Sequence, residues 1–228
     1  MRRPGSLDVV LAGVGGQGVL SAAAVLSTAA MEAGLSVRQG EVHGMSQRGG
    51  AVEAHLRLGP VPASSGLIPR HRADVILSLE PVEGLRYLDY LSPEGVLVTS
   101  SDPFENIPDY PPIDEVLDRI RSLPSAVLVS AQSLAREAGS GNAVNTVMVG
   151  AVSPLTPFDP CLLEDGIVSL FGRKGDRVVR INVEAFRLGR AAALGALTGD
   201  RSEGASPGLG DPEPDAGSVT SPAPSPMP

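Results

Sequence analysis

The first forty residues constrain the fold most strongly, because a glycine cluster there joins a strand-like run to a helix-like run. LDVVLAG is continuously apolar, as in a strand buried on both faces, and VLSAAAVLSTAAMEAG has helical composition up to Gly34, where a C-cap is expected. Apolar runs and helical patterns alternate in the same way further along the chain. Since neighbouring parallel strands need a crossover, this alternation predicts a Rossmann-like α/β fold: a doubly wound, mostly parallel sheet with helices on both faces.

The composition changes near residue 199 of the 228-residue chain. Residues 200–228 are rich in proline, glycine and serine, carry five acidic residues against one basic residue, and contain almost no large apolar side chains. Such a segment cannot bury enough apolar surface to fold. We therefore predict one domain over residues 1–199 and a disordered acidic tail over residues 200–228.

Charge and cysteine content exclude several classes of function. The formal net charge is −8, and no dense run of Lys and Arg with interleaved aromatics is present, which argues against nucleic-acid and anionic-membrane surfaces. Cys161 is the only cysteine, so an iron–sulfur cluster with four cysteine ligands cannot be built from this chain alone. The three histidines lack the spacing of a zinc site. The N-terminal MRR and the apolar stretch after it do not form a convincing signal peptide, so we expect a cytoplasmic protein without a membrane span.

The glycine cluster itself matches a phosphate-binding pattern. GVGGQG has Gly13, Gly15 and Gly18 at the three positions of G-x-G-x-x-G, directly after a strand and before a helix. Such a turn brings backbone close to a phosphate and points helix N–H groups at the anion. Glu41 lies 23 residues beyond Gly18, near the end of the second predicted strand, where a dinucleotide-binding protein places its ribose-binding acid. Close packing of strand on helix is the structural alternative.

A second unusual stretch, EVHGMSQRGG at residues 41–50, falls between the second and third predicted strands. We expect it at the carboxyl edge of the sheet, where ligands of this architecture bind. Its glycines permit close approach, while His43 and Arg48 offer a titratable group and a fixed cation for a phosphate or carboxylate. The structural alternative is a glycine-rich connection with a satisfied histidine and a solvated arginine.

Four stretches together resemble a known family. GVGGQGV, EVHGMSQRGGAVEAHLRLG, LSLEPVEGLRYL and GNAVNTVMVGA occur in the order found in the gamma-type domain of the 2-oxoacid:ferredoxin oxidoreductases. Within that family the chain is most similar to the small β subunit of the indolepyruvate enzymes. The resemblance runs from about Leu7 to Leu197, so the tail lies outside it.

The resemblance implies an oxidoreductase subunit that is inactive alone. Members of this family decarboxylate aryl-2-oxoacids oxidatively, transfer the acyl group to coenzyme A and pass electrons to ferredoxin. Thiamine diphosphate, Mg and the [4Fe–4S] clusters would belong to a large partner subunit in a heterodimer or heterotetramer. Coenzyme A is a candidate ligand at a shared site, and we expect no cofactor bound by this chain alone and no catalytic residue or metal ligand.

Two other functions stay open from the residues themselves: a self-contained NAD(P)- or flavin-dependent oxidoreductase, and a non-enzymatic module that binds a phosphorylated ligand. Among weaker candidates, we expect Glu80 and Glu83 to cap a helix, Asn142 to act as an N-cap or a contact, and Cys161 to be inert. The predicted ligand-binding or interface residues are Gly13, Gly15, Gly16, Gln17, Gly18, Glu41, His43, Gly44, Met45, Gln47, Arg48, Gly49, Gly50, Asn142 and Asn145.

Overall fold

The computed structural model describes residues 5–43, 49–105, 107 and 109–198. Within these ranges lie six strands: β1 (Leu7–Val14), β2 (Ser36–His43), β3 (Ala51–Gly59), β4 (Ala73–Ser78), β5 (Leu91–Ser100) and β6 (Ala126–Val129). The helices are α1 (Val19–Glu32), α2 (Pro81–Arg86), α3 (Ile113–Arg121), α4 (Ala131–Glu137), α5 (Val144–Val152), α6 (Pro160–Phe171) and α7 (Asp176–Thr198). Short 3-10 turns occur at Leu88–Tyr90, Gly141–Ala143, Ser153–Leu155 and Gly172–Lys174.

The six strands form one sheet in the order β2-β3-β1-β4-β5-β6. The pairs β1–β4, β4–β5 and β5–β6 are parallel, whereas β3 is antiparallel to both β1 and β2. Five strands therefore share one direction, and the prediction of a mostly parallel sheet is confirmed. The reversal at β3 has a simple cause, since the short connection from β2 to β3 cannot supply the dozen or more residues that a parallel crossover needs.

Helices cover both faces of the sheet, as predicted. The larger core packs α1, α4, α5, α6 and α7 against one face, where alternate residues such as Leu11 of β1 and Leu56 of β3 are fully buried. The smaller core packs α2 and α3 against the other face, around Val10, Ile76 and Ile120. This alternation of buried side chains is the two-residue period of a strand buried on both sides.

Helices α5 and α7 approach each other unusually closely, through two glycines. A Cβ added at Gly150 would lie 2.0 Å from the Phe186 backbone oxygen, and one added at Gly189 would lie 2.0 Å from the Val147 backbone oxygen. Thr146 of α5 also donates a buried hydrogen bond of 2.7 Å to Asn182 of α7. Because glycine has no side chain, the backbones of the two helices that support the site can touch directly at these positions.

Most predicted elements are present, but one helix was missed. Gly34 follows α1 with a φ of +75°, which confirms its role at the helix end. The sequence interpretation passed over α6, although Asp159 caps it by accepting a hydrogen bond from the Cys161 N–H and Pro160 occupies its first position. Helix α7 begins at Asp176, seven residues before the apolar helical stretch VEAFRLGRAAALGAL that starts at Val183.

The predicted boundary near residue 199 coincides with the end of the described chain. Residues 199–228 lie outside the described residues, so the disordered tail stays a prediction. In the part of the chain that is described, no helix is long and apolar enough to cross a bilayer.

Candidate functional site

The two stretches singled out by sequence meet at the carboxyl edge of the sheet. Strand β1 ends there at Val14, the glycine turn 15–18 follows it, and α1 begins at Val19. Strand β3 starts at the same edge, because Val14 pairs with Ala51 in the antiparallel β1–β3 ladder. The arrangement places both glycine-rich stretches where open α/β sheets bind ligands.

The glycine turn has a backbone that side chains rarely adopt. Gly16 and Gly18 have φ values of +106° and +88°, in the region that glycine favours. Gly18 is the N-cap of α1 and makes no side-chain capping bond, so the first-turn N–H groups have no partner from a cap side chain. Gly16 is exposed, and a Cβ there would meet nothing within 4 Å. An anion could approach this turn and the helix N-terminus together.

Gln17 braces the turn. Its Oε1 accepts a hydrogen bond of 2.8 Å from the Val14 N–H, and its Nε2 donates one of 3.2 Å to the Leu79 carbonyl at the end of β4. Both polar atoms of this side chain thus hold backbone. The predicted role of Gln17 in ligand binding stays a prediction, and the bonds seen here are structural.

Two backbone hydrogen bonds tie the glycine turn to the end of the second stretch. The Gly15 N–H donates to the Gly50 carbonyl at 2.8 Å, and the Gly49 N–H donates to the Gly15 carbonyl at 3.3 Å. Gly49 has a φ of +77°, which explains why a glycine stands there. The two motifs form a single backbone unit, as their predicted proximity required.

Several predicted residues in the second stretch cannot be placed. Gly44, Met45, Gln47 and Arg48 lie outside the described residues. His43 ends β2, and its backbone pairs in register with Val52 of β3.

Glu41 lies farther from β1 than the ribose-binding acid of a dinucleotide-binding protein, which stands on the strand next to β1. Strand β3 stands between β2 and β1, which separates Glu41 from the glycine turn by about 10 Å, or two strand spacings. The Glu41 side chain is exposed and accepts a hydrogen bond of 2.7 Å from Gln39 on its own strand. The strand order thus disfavours the ribose-binding interpretation of Glu41, because an antiparallel strand intervenes. Its place among the ligand-binding or interface residues stays a prediction.

Of the two predicted asparagines, one contacts the glycine turn and the other does not. Asn145, in the first turn of α5, is 8% exposed and packs on the glycine turn; a Cβ at Gly18 would lie 2.8 Å from its Nδ2. Asn142 is exposed in the preceding 3-10 turn, where its N–H donates to Ser140 Oγ. The N-cap of α5 is Ala143, so the capping interpretation of Asn142 is wrong, and Asn145 is the asparagine that reaches the site.

A buried carboxylate network lies beside the turn, and only its helix cap was predicted from the sequence. Glu80 is 1% exposed; its Oε2 accepts a hydrogen bond of 2.7 Å from the Glu83 N–H, which confirms the predicted cap of α2. Its Oε1 accepts a second bond from the Tyr110 hydroxyl. Burial and the bond to Glu80 raise the pKa of Tyr110 far above its usual value. Tyr110 thereby fastens the connection after β5 to the carboxyl edge, a contact across 30 residues that no local pattern predicts.

Glu83 is the least satisfied carboxylate in this network. It is 4% exposed, and its Oε2 lies 3.2 Å from Arg86 Nε without hydrogen-bond geometry. Desolvation raises the pKa of Glu83, outweighing the lowering effect of Arg86, and the charge of Glu80 raises it further. When a group has a higher pKa in the folded state than in the unfolded state, the free energy of unfolding of the protein falls as the pH rises from the unfolded pKa through the folded pKa.

Glu83→Gln is accordingly expected to raise the free energy of unfolding at neutral pH by about 1 kcal/mol, since the variant buries no charge. The gain should fade below about pH 4, where Glu83 is protonated in both states of the wild type. Urea unfolding across this pH range measures the effect, with exposed Glu94→Gln as the control. A Glu83→Gln gain that does not change with pH would contradict this explanation.

Cys161 has surroundings that suit the predicted unreactive thiol. It is exposed at the N-terminus of α6, where hydrogen bonding to Asp159 and the charge of that carboxylate raise the pKa of the thiol. A raised pKa keeps the sulfur protonated and weakly nucleophilic. The described part of the site thus offers an open glycine turn at a helix N-terminus and a carboxylate network, without a nucleophile paired with a base.

Comparison with known proteins gives one consistent family. Residues 8–192 match the family described as pyruvate ferredoxin/flavodoxin oxidoreductase. Indolepyruvate oxidoreductase subunit IorB from Thermococcus kodakarensis is 40% identical over 195 residues, which cover 82% of this chain and 95% of that subunit. Subunit IorB from Archaeoglobus fulgidus is 36% identical, covering 82% of this chain and 96% of the relative.

Solved structures share the fold. A 2-oxoglutarate:ferredoxin oxidoreductase from Magnetococcus marinus, with 2-oxoglutarate, coenzyme A and succinyl-CoA bound, superposes with a TM-score of 0.68 at 25% identity. The match covers 84% of this chain and 32% of that longer one. A keto/oxoacid ferredoxin oxidoreductase gamma subunit from Geobacter sulfurreducens gives a TM-score of 0.62 at 23% identity, covering 82% of this chain and 98% of the other.

Proposed function

The chain belongs to the pyruvate ferredoxin/flavodoxin oxidoreductase family, and we propose that it is the small, gamma-type subunit of an indolepyruvate-type 2-oxoacid:ferredoxin oxidoreductase. The indolepyruvate assignment rests on the IorB relatives, which match it at 36–40% identity over nearly their whole length. Pyruvate and 2-oxoglutarate enzymes match at lower identity, 26–28%. The complete enzyme would decarboxylate an aryl-2-oxoacid, release its carboxyl group as CO2, join the remaining acyl group to the thiol of coenzyme A, and pass the two electrons to ferredoxin.

A larger partner subunit would carry the reacting cofactors. When bound there, thiamine diphosphate with Mg supplies the carbanion chemistry and [4Fe–4S] clusters accept the electrons. This chain has one cysteine, so it cannot provide the ligands of such a cluster itself. Its part in the enzyme is to bind the large subunit and complete the active site. We infer a heterodimer or heterotetramer that works in the cytoplasm.

The observation that carries this role is the glycine turn itself, open at Gly16 and continuous with the N-terminus of α1. Its backbone N–H groups and the positive end of the helix dipole suit a phosphate of coenzyme A. Asn145, buried against Gly18, fixes the turn from the α5 side. The residues therefore fit an anionic ligand, and coenzyme A is the phosphate-bearing substrate of this reaction class.

The same edge carries apolar side chains suited to a partner surface. Leu20 follows the glycine turn in the first turn of α1, and Phe104 and Ile107 follow β5; all three are large, apolar and exposed. Exposed apolar side chains grouped around a site are typical of surfaces that another chain covers. We infer that the large subunit docks here, which would close the coenzyme A site between the two chains.

A self-contained NAD(P)- or flavin-dependent enzyme is disfavoured by the sheet order. Such a protein places its ribose-binding acid on the strand next to β1, but β3 occupies that place here and runs antiparallel. We expect isothermal titration of the isolated chain with NAD, NADP or FAD to give no binding at micromolar ligand. Stoichiometric binding of any of them would favour the rival function.

The subunit role is tested by isolating the native protein under gentle conditions. We expect it to co-purify with a larger, iron-containing polypeptide in a fixed ratio, and to aggregate more readily when produced alone. The non-enzymatic module predicts instead a stable monomer with no large companion. Iron analysis and mass determination of the purified complex distinguish these outcomes.

A further inference from the structure

A cleft away from the glycine turn concentrates positive charge. It lies between the α4–α5 connection and α7, with a volume of about 580 Å³. Gly139, Val179 and Ile181 supply apolar lining. Three guanidinium groups, from Arg177, Arg180 and Arg187, outnumber the one carboxylate of the lining, that of Glu184. We call this the basic cleft.

The basic cleft is the centre of a strongly basic segment in an acidic protein. Residues 173–190 hold six of the chain's 18 Lys and Arg residues and only two acidic residues, although the net charge of the chain is −8. Arg187 is engaged by Glu164 at 2.8 Å. Arg177 and Arg180 are exposed and form no ion pair with any other described residue.

The tail carries the opposite charge. Five acidic residues stand against one basic residue from residue 200 onward, and three of them fall within five residues, in the segment DPEPD at 211–215. This tail follows the family match, which ends at residue 192. It is therefore an addition to the domain, with a charge pattern that complements the cleft.

The chain is long enough to bring the two together. Arg180 precedes Thr198 by eighteen residues of one helix, about 27 Å at the rise of an α-helix. Twelve residues, 199–210, separate Thr198 from Asp211, and the thirteen steps between them can span up to about 45 Å when extended. Tethering at this length gives an effective concentration near the millimolar range, so weak ion pairs are enough to hold the segment in place part of the time.

We propose that the acidic segment 211–215 docks in the basic cleft of its own chain, pairing with Arg177 and Arg180. This docking is reversible and sensitive to salt, because it depends on the attraction between exposed charges. Salt screens that attraction over about 10 Å. Any anionic ligand or acidic protein surface that uses the cleft must displace the tail first. The tail thus acts as a built-in competitor for this face.

Lys174 makes the proposal directly testable, since it is the only lysine in the chain. It lies in the 3-10 turn immediately before α7, three residues ahead of Arg177. A carbodiimide joins a carboxylate to an amine within ion-pair distance, so treatment of the full chain, free or in its complex, is expected to link Lys174 to Asp211, Glu213 or Asp215. Peptide mass spectrometry identifies and quantifies the link.

Charge variants separate docking from chance contact. We expect Arg177→Gln with Arg180→Gln, or about 0.5 M NaCl, to lower the yield of the link at least about threefold. The matched variant Arg119→Gln with Arg121→Gln removes the same charge from α3 on the other face of the sheet, and its yield should equal that of the wild type. An absent link, or equal yields in both double variants, would overturn the proposal. A link found only between two copies in a mixture of ¹⁴N- and ¹⁵N-labelled protein would overturn docking within one chain.

Discussion

Gly150→Ala is expected to lower the free energy of unfolding by about 3 kcal/mol or more, the upper range for overpacking a core. The new Cβ would lie 2.0 Å from the Phe186 backbone oxygen, a rigid atom of α7 that cannot rotate away. Helices α5 and α7 must therefore separate, which also opens the buried Thr146–Asn182 hydrogen bond. The same reasoning applies to Gly189→Ala, whose Cβ would meet the Val147 backbone oxygen at 2.0 Å.

Chemical denaturation measures this effect, and Gly195→Ala is the matched control. Gly195 lies in α7 as well, but a Cβ there meets nothing within 4 Å. The control should be unchanged or more stable by up to about 1 kcal/mol, since alanine is the better helix former. Equal stabilities for Gly150→Ala and Gly195→Ala would show that the two helices do not touch through their backbones.

Gly16→Asp is expected to raise the KM for coenzyme A of the assembled enzyme at least about tenfold, because it places a negative charge where a phosphate would bind. Gly16 is exposed and a Cβ there has open space, so the side chain does not disturb the packing of the turn. The matched variant is Gly16→Asn, which has nearly the same shape and no charge. Asp and Asn both tolerate a positive φ better than other side chains, so the two variants share any backbone strain.

Steady-state kinetics of the two variants with varied coenzyme A separates charge from shape. We expect Gly16→Asn to stay within about threefold of wild type and the KM for the 2-oxoacid to be unaffected in both variants. Similar KM values for coenzyme A in Gly16→Asp and Gly16→Asn would rule out phosphate binding at this turn. Subunit docking at the carboxyl edge would then be its remaining role.

Much of the fold was predictable because it follows local rules. A continuous apolar run predicted β1, and helical composition ending at Gly34 predicted α1. The direction of β3 was not predictable from its own residues, since alternating strands look alike in either direction. It depended on the length of the connection before it, which is too short for a crossover. Helix α6 was missed although Asp159 and Pro160 mark its start.

The location of the site was predictable from the sequence, but most of its side-chain contacts were not. Glycines that need a positive φ identified the turn, and the topology brought Gly49 and Gly50 to it. The sequence could not show that Gln17 turns back onto Val14 and Leu79, or that Tyr110 bonds to Glu80, because these contacts depend on the packed sheet edge. The distance of Glu41 from β1 was not predictable for the same reason, since it is set by the strand order.

Reconstituted turnover shows whether this chain and a large subunit work as one enzyme. The purified chain, the purified large subunit and their mixture are each assayed for reduction of ferredoxin with indolepyruvate and coenzyme A. We expect activity that depends on both subunits in the mixture and none above background from this chain alone. Oxidation of the 2-oxoacid by this chain without the large subunit would contradict its role as an accessory subunit, and so would full coenzyme A-dependent activity of the large subunit without this chain.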